Sequence, residues 1–543
     1  MVFARRSTTL LAAIIASCAM VLSLTACTSD NKTVVDGQTT VTSNSAGGVA
    51  VFTPSDGITL NQQVPLNKWA KLVPDLTKAL VDAGFKKGDI NHTTSDSLDK
   101  QSRAIQDFVV DHLSNNTTDD SGIAIAPDNM TLLVAPVVEA DASTRQYGDY
   151  VSQNLGTNDV TDEGATSDGE SSEDDSSKDD SSNTESDSTA SDEQAQAVDR
   201  LVSSLKLAKE SGMHVVLLGN SIEGYKPDAF VKFSDAQTIG KLQAEKMVSK
   251  LKLDKASKDN PKYIEVLLPY TAVDEKGNAN DSTFAQEAFR GIWQVLGSYY
   301  QKGVVESPSG TLDGKSTEND WQAVAYDAAK EGSTAKVLDK RLAKTDGQST
   351  LTRIDGIITM NDYIASEVVK ELDDLGYTGS AADINPQITI SGIVGNITGK
   401  KDLSRDAVPD PIKSPENDNA NDSSSSDDDA DEDTSASDKD RDSQWPLVTG
   451  YGAYVSNIPS IVNGKQWMTG MEDRQTIATD IAQACAKLNK DEALNSMPSI
   501  RNSEVGGVKK IPTISEPLLA VSASNLKSAL IDPGYISLAD AGL

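Results

Sequence analysis

The sequence predicts an α/β protein made of two doubly wound, parallel-sheet lobes. Three observations carry this expectation. Short apolar runs alternate with amphipathic segments of helical spacing, the pattern of parallel strands joined by crossover helices. The alternation runs from residue 48 to residue 219 and restarts at residue 236. The two runs are similar in size, which favours two sheets over one oversized sheet.

In the first run, Gly48–Pro54 reads as a strand and Trp69–Gly84 as a helix. Leu72, Val73, Leu76, Leu80 and Val81 fall at helical spacing there, and Gly84 supplies the stop. Asp89–Thr94 is a weak strand and Asp99–Leu113 a helix; Thr131–Val138 is a buried strand. Gln194–Ser211 reads as a helix and Val215–Gly219 as a strand. In the second run, helices are expected at Ala236–Leu251, Thr283–Lys302, Gln322–Leu342 and Ile364–Leu375. The intervening strands are Tyr263–Pro269, Asp355–Met360, Ile388–Val394 and Pro446–Tyr451. A short helix at Ile458–Val462, a strand at Gln466–Gly470 and a helix at Arg474–Lys490 follow. A cleft between two such lobes, at the strand carboxyl ends, is where this architecture places a ligand.

Charge separates ordered from unordered chain. The 543 residues carry a formal net charge of −33, concentrated in two Ser/Asp tracts. Residues 161–193 hold 13 acids and one Lys; residues 415–443 hold 12 acids and two bases. Lacking aromatics and large aliphatics, these tracts cannot offset the entropy of ordering and are expected to be disordered inserts over 156–193 and 397–444. So acidic a chain repels phosphate backbones, which disfavours nucleic-acid binding, and no nucleic acid is expected as a partner. With three His and three Cys, neither a disulfide framework nor a metal site is expected, and no cofactor is implied. No G-x-S-x-G, H-E-x-x-H, P-loop or C-x-x-C stands in the chain. His92, His112 and His214 read as structural, so no catalytic residue and no enzyme is expected.

The first 27 residues set the compartment. Arg5 and Arg6 precede an apolar run from Leu10 to Leu24, which reads as an export signal. It ends in Leu24-Thr25-Ala26-Cys27, which resembles the lipobox of bacterial lipoproteins and implies acylation of Cys27. Two or three acyl chains would then hold the protein on the outer face of the cytoplasmic membrane. Residues 28–47, rich in Ser, Thr, Asn and Gly, are expected to form a flexible tether. Only Cys485 then remains as a free thiol, in a helix beside Ile477, Ile481 and Ala484, as a buried structural residue.

Several stretches then line up in order with one family. Ser211-Gly212-Met213-His214-Val215-Val216 is followed by Phe230-Val231-Lys232-Phe233-Ser234-Asp235 and by Ile239-Gly240-Lys241-Leu242-Gln243-Ala244. This series resembles the G-I-x-V…Y-I-S-F-D-N…V-G-x-L-Q-A segment of xylose- and multiple-sugar-binding proteins. Met360-Asn361-Asp362, Val448-Thr449-Gly450, Asn463–Thr469, Val521–Asn525 and Asp532–Ser537 extend the likeness across residues 48–543. Those proteins are solute receptors of ABC importers with the type I periplasmic-binding-protein fold. The resemblance implies a three-crossing hinge, placed near Phe230–Ser234, Glu472–Arg474 and Glu516–Ala520. Lobe one would comprise 48–230 with 473–515, and lobe two 231–472 with 516–543. It further implies a monomer that hands a small molecule, a sugar, to ABC permease subunits.

Carried residue by residue, the resemblance names a site. Trp69 matches the aromatic at the first helix, with Lys68 where Arg is usual. Asn361 matches the Asn of an N-D turn beside Asp362, a pair equally suited to capping the helix from Ile364. Phe289-Arg290 corresponds to an F-R pair, and Trp321 or Tyr326 would supply a second stacking aromatic. Three positions depart from the pattern. A D-R pair is Gly219-Asn220 here, and a G-Q-D-A-D turn is Gly450-Tyr451-Gly452-Ala453-Tyr454. A hinge Lys is replaced around Glu472. Asn220, Tyr451 and Tyr454 therefore join the expected ligand group. The alternative role is a surface lipoprotein of the same fold that senses a non-sugar ligand or serves as a scaffold.

Overall fold

A computed structural model describes residues 33–35, 38–40, 46–55, 65–115, 125–138, 146–151, 153–156, 185–273, 280, 282–328, 330–343, 350–382 and 444–543. The export signal with Cys27, the strand expected at 388–394 and most of both acidic tracts lie outside these residues. The chain divides into two compact units, Met1–Ser45 and Ala46–Leu543. In the first, Thr33–Val35 pairs antiparallel with Gln38–Thr40. The stretch expected as a plain tether thus carries a short hairpin. The intervening Asp36-Gly37 is a dipeptide that favours tight turns.

The second unit begins with a seven-stranded sheet. Its strands are β1 (Gly48–Pro54), β2 (Ile90–Ser95), β3 (Met130–Val134), β4 (His214–Leu218) and β5 (Ala229–Lys232). A second, four-stranded sheet contains β6 (Lys262–Val266), β7 (Val305–Glu306), β8 (Gly356–Ile358) and β9 (Leu447–Thr449). Then come β10 (Met468–Met471), β11 (Ile500–Val505), β12 (Val508–Ser515) and β13 (Leu519–Ser522). The first sheet has the order β11-β12-β5-β4-β3-β1-β2, parallel except for the β11–β12 hairpin. The second has the order β7-β6-β8-β9, all parallel.

Burial follows the strand period. On one face of the first sheet, Val49, Val51, Leu133, Val216 and Val231 pack against α1 (Trp69–Asp82) and, from the chain's end, the helix Arg474–Leu488. Their neighbours Ala50, Phe52, Leu132, Val134 and Leu217 face α2 (Leu98–Asn115) and α3 (Glu185–Glu210). Such double coverage explains why these strands read as continuous apolar runs. The edge strand β2 is mostly exposed, hence its polar sequence. The second sheet packs with α4 (Ala236–Leu251), α5 (Thr283–Gln301), α6 (Ser333–Arg341) and α7 (Asp362–Leu375) in one apolar cluster. The helices α4 and α5 cross so closely that a Cβ on Gly240 would lie 2.2 Å from the Ala288 carbonyl. Only glycine fits there. Helix Arg474–Leu488 is hereafter α8.

The chain crosses between the sheets three times. Lys232 ends β5 in the first sheet and Ala236 opens α4 in the second. Met471 ends β10; the amides of Gly470 in it and of Trp467 just before it reach Gly450 and Val448 at the edge of the second sheet, and Arg474 opens α8 on the first. Ser515 ends β12 in the first sheet, and Leu519 opens β13, antiparallel to β10. This is an α/β protein of two parallel-sheet lobes with a triple connection.

The details depart from the sequence reading in four places. Helix α3 begins at Glu185, nine residues before Gln194 and inside the tract expected as disordered. The packed turns around Val198 and Leu201 propagate it upstream. The helix expected over Gln322–Leu342 is broken into Trp321–Val324, a strand pair Ala325–Tyr326 with Leu268–Pro269, and α6. Gly332, at φ +70°, precedes α6 in the left-handed region. β5 and β7 were too short to show a period. The β11–β12 hairpin hid behind exposed Arg501, Lys509 and Lys510, although Gly506-Gly507 marks its turn. No helix among the described residues is long and apolar enough to cross a membrane.

Candidate functional site

Residues just past the carboxyl ends of β4, β5, β8 and β9 meet at one enclosed place between the lobes. Trp69 opens α1 from the first lobe and is 2% exposed. Its ring stands edge-on to Phe233, just past β5, at 5.7 Å between centroids. Lys68 occupies the N-cap position of α1 and makes no side-chain cap. From the second lobe come Asn361, past β8, and Tyr451 and Tyr454, past β9. Asn361 caps α7 by accepting from the Ile364 amide at 2.9 Å. Two non-glycine residues in these turns, Met360 (φ +67°) and Ala453 (φ +50°), sit in the left-handed region. Such strain persists only where surrounding contacts enforce it, and it gathers at binding sites.

The chain itself fills this place. After β3 it passes Ala135–Val138, and the segment Gln146–Val151 lies between the lobes. The Lys68 Nζ donates to Asp149 Oδ1 at 2.7 Å, and the Trp69 amide to Asp149 Oδ2 at 3.1 Å. The Asp149 amide donates to the Asn67 carbonyl at 2.8 Å. Tyr150 lies 4.8 Å from Phe233 in a stacked pair and 5.1 Å from Trp69, and its hydroxyl donates to the Lys68 carbonyl. Toward the second lobe, the Asn361 Nδ2 donates to Gln146 Oε1 at 3.1 Å and the Tyr454 hydroxyl to the Gln146 carbonyl at 2.6 Å. Tyr147 packs on Phe284 and Tyr451. Further on, Asn220 accepts from the Gln153 amide and donates to the Pro136 carbonyl.

A carboxylate pins the hinge beside the site. Glu472, at one crossing, accepts from the Ser234 amide at 2.6 Å, at another, and from the Tyr451 hydroxyl at 3.4 Å. Ser234 Oγ also bonds the Tyr451 hydroxyl. Burial pushes the Glu472 carboxyl up to about 7, opposed in part by these hydrogen bonds.

The expected ligand residues divide into two groups. Lys68, Trp69, Asn220, Asn361, Tyr451 and Tyr454 surround the cleft segment. Asp362 turns inward instead: its carboxylate accepts from Gln466, Thr469 and the Tyr454 amide, and burial pushes it up to about 6. These bonds tie together the turns of the second lobe. Phe289 is a core residue stacked on Trp293, and Arg290 pairs with Glu287 one helical turn away. Both belong to α5, whose Phe284, in the first turn, packs on Tyr147. Trp321 stands edge-on to Tyr270 and the Tyr326 hydroxyl bonds Thr334, all three aromatics being part of or packed against the second lobe's apolar cluster. The Gln146–Tyr150 segment, Asn67, Phe233, Ser234 and Glu472 were not read as site residues. Their signal was slight: an aromatic pair around Gly148-Asp149 in an otherwise polar insertion.

The group offers surfaces and polar groups of several kinds. A cation and a helix amide take a carboxylate or hydroxyl, the Trp69–Phe233 pair takes a flat apolar face, and Asn361 with Tyr454 takes an amide or hydroxyl. The histidines lie elsewhere: His92 bonds Thr53, His112 stacks on Phe108, and His214 bonds the Asp128 carbonyl. Among the described residues, no group of three or more His, Cys, Asp or Glu is placed to hold a metal.

No protein-family model and no curated protein sequence matches the chain. Solved structures similar to it are sugar ABC transporter solute-binding proteins. One, from Clostridium phytofermentans with bound β-D-glucose, shares 17% identity over 91% of this chain and 99% of its own, with a TM-score of 0.44. A carbohydrate transporter solute-binding protein from Chloroflexus aurantiacus, in complex with D-glucose, shares 18% identity over 92% and 98%, with a TM-score of 0.43. A sugar ABC transporter protein from Actinomyces odontolyticus shares 11% identity over 89% and 97%, with a TM-score of 0.44.

Proposed function

We propose that this chain is an extracytoplasmic solute receptor, moored by lipid on Cys27, that takes a small polar ligand, a sugar, between its lobes and delivers it to an ABC importer. One observation carries the reading. Two triply connected lobes bring Lys68, the Trp69–Phe233 pair, Asn361 and Tyr454 to one enclosed spot. Closure about such a hinge would trap the solute and present both lobes to the permease. The role is binding as a monomer, without catalysis and without nucleic acid.

Differential scanning fluorimetry of the exported chain against monosaccharides and glycosides tests it. A true ligand at about a hundred times its Kd stabilises by about 2.7 kcal/mol. No shift with any sugar, in the parent chain or in one with the cleft segment replaced, overturns the sugar reading. Incorporation of a labelled fatty acid, lost in Cys27→Ser, tests the anchor.

The second reading is a surface lipoprotein of the same fold that senses a non-sugar ligand or acts as a scaffold. The observation favouring it is that Gln146–Tyr150 already engages the groups a solute would use. A neighbouring gene for a sensor kinase, with none for permease subunits, would decide for it.

A further inference from the structure

We propose that the cleft is a peptide site and that its ligand is the chain's own Gln146–Val151 segment, which holds the lobes shut in the place a solute would take. The inference does not depend on which solute, if any, the receptor carries.

The segment is held as a ligand is held. The Asp149 carboxylate uses both oxygens, one on the Lys68 ammonium and one on the first amide of the 14-residue helix α1. That combines an ion pair with a helix N-terminus, the arrangement that favours an anion most. The Tyr150 ring stacks on Phe233 with Trp69 across its edge, as a flat ligand would. Tyr150 and Tyr147 are each 1% exposed, so neither rests on a surface.

The segment also joins the two halves. Asp149 and Tyr150 bind the first lobe, whereas Gln146 binds Asn361 and Tyr454 of the second. Tyr147 and Val151 belong to the second lobe's apolar cluster. Gly148 makes the turn between these engagements at φ +94°, where a Cβ would lie 2.6 Å from the Asn67 carbonyl oxygen. A surface loop has no need of so tight an approach or of contacts alternating between lobes. A peptide bridging a cleft does.

A solute entering this site must first displace the segment. Its apparent affinity is therefore lowered by the fraction of molecules in which the cleft is free.

The test uses the exported chain and two variants. In Asp149→Asn, hydrogen exchange at the Trp69 amide is expected to lose about tenfold or more of its protection, because a neutral amide group replaces the carboxylate that the amide and Lys68 share. In the second variant, residues 146–153 become a Gly/Ser run of equal length, and small-angle scattering is expected to show a larger radius of gyration. The synthetic peptide Gln-Tyr-Gly-Asp-Tyr-Val, added to this variant, is expected to bind and restore the parent's scattering. The same peptide with Asn for Asp is expected to bind about tenfold more weakly. Unchanged exchange at Trp69 in Asp149→Asn overturns the proposal, and so does a replaced chain that stays compact and ignores the peptide. Should the Gly/Ser chain fail to fold, exchange in Asp149→Asn decides alone. Failure of D-glucose or other sugars to bind the Gly/Ser chain would count against the solute reading while leaving the peptide site intact.

Discussion

Glu472 offers the sharpest quantitative prediction. It is fully buried at a hinge crossing, and its carboxyl is raised from an ordinary 4.5 to about 7. A raised native pKa means that the folded state keeps a proton that the unfolded chain has released. The resulting stability is complete below the unfolded value of 4.5 and is lost as pH rises through about 7. Between about pH 5 and about pH 8 this one group costs about 2.5 kcal/mol. Asp362, raised from 3.8 to about 6, removes about 1.5 kcal/mol over the same interval. Glu472→Gln keeps an oxygen to accept from the Ser234 amide and cannot ionise. Urea unfolding across this range should therefore show the parent losing about 4 kcal/mol from the two groups and the variant only about 1.5 kcal/mol. The two proteins should be nearly equal at the acid end and diverge toward the alkaline end. Parallel stability profiles would refute the assignment, since they would mean that Glu472 ionises in the native hinge at no cost.

Three further outcomes follow from single contacts. Gly148→Ala places a methyl against the Asn67 carbonyl in a left-handed backbone, and should cost about 1–3 kcal/mol in chemical denaturation; unchanged stability would show that the turn is not pinned. Asp362→Ala strands Gln466, Thr469 and the Tyr454 amide, and should lower stability by about 3 kcal/mol or more, with a urea midpoint near the parent's as the contrary result. Cys485 is sealed between α8 and the first sheet, and burial pushes its thiol up, so it should stay inert to a thiol reagent until denaturant is added. Rapid native labelling would contradict that packing.

The sequence made the lobes legible because their strands are covered on both faces. Runs such as Thr131–Val138 and Val215–Gly219 had to be apolar throughout, and helices such as α1 and α7 carry both the period and the cap. Elements stabilised by pairing rather than by apolar content escaped notice: β11 and β12 are exposed on one side, and the two-residue strands have no period at all. The site was half legible. Lys68, Trp69 and Asn361 were named through the family resemblance, and Asn361, Tyr451 and Tyr454 lie within a few residues of the ends of β8 and β9. Phe289 and Arg290 could be placed only within α5, and there the helix turns one into the core and the other toward Glu287. Gln146–Tyr150 stayed hidden because nothing local announces that this stretch will return to the cleft. Its residues make sense only beside Lys68, some 80 positions earlier, and Asn361, more than 200 later.

The most direct test of two hinged lobes closing on a cleft occupant is a distance across them. Spin labels at Lys78→Cys on α1 and Lys370→Cys on α7, both exposed positions, report it, with buried Cys485 left unlabelled. The parent chain should give one short, narrow distance distribution. The chain with 146–153 replaced by Gly/Ser should give a longer, broader one that contracts when the free peptide is added. A single distribution, identical in all three samples, would mean that the halves do not hinge and that nothing between them holds them shut.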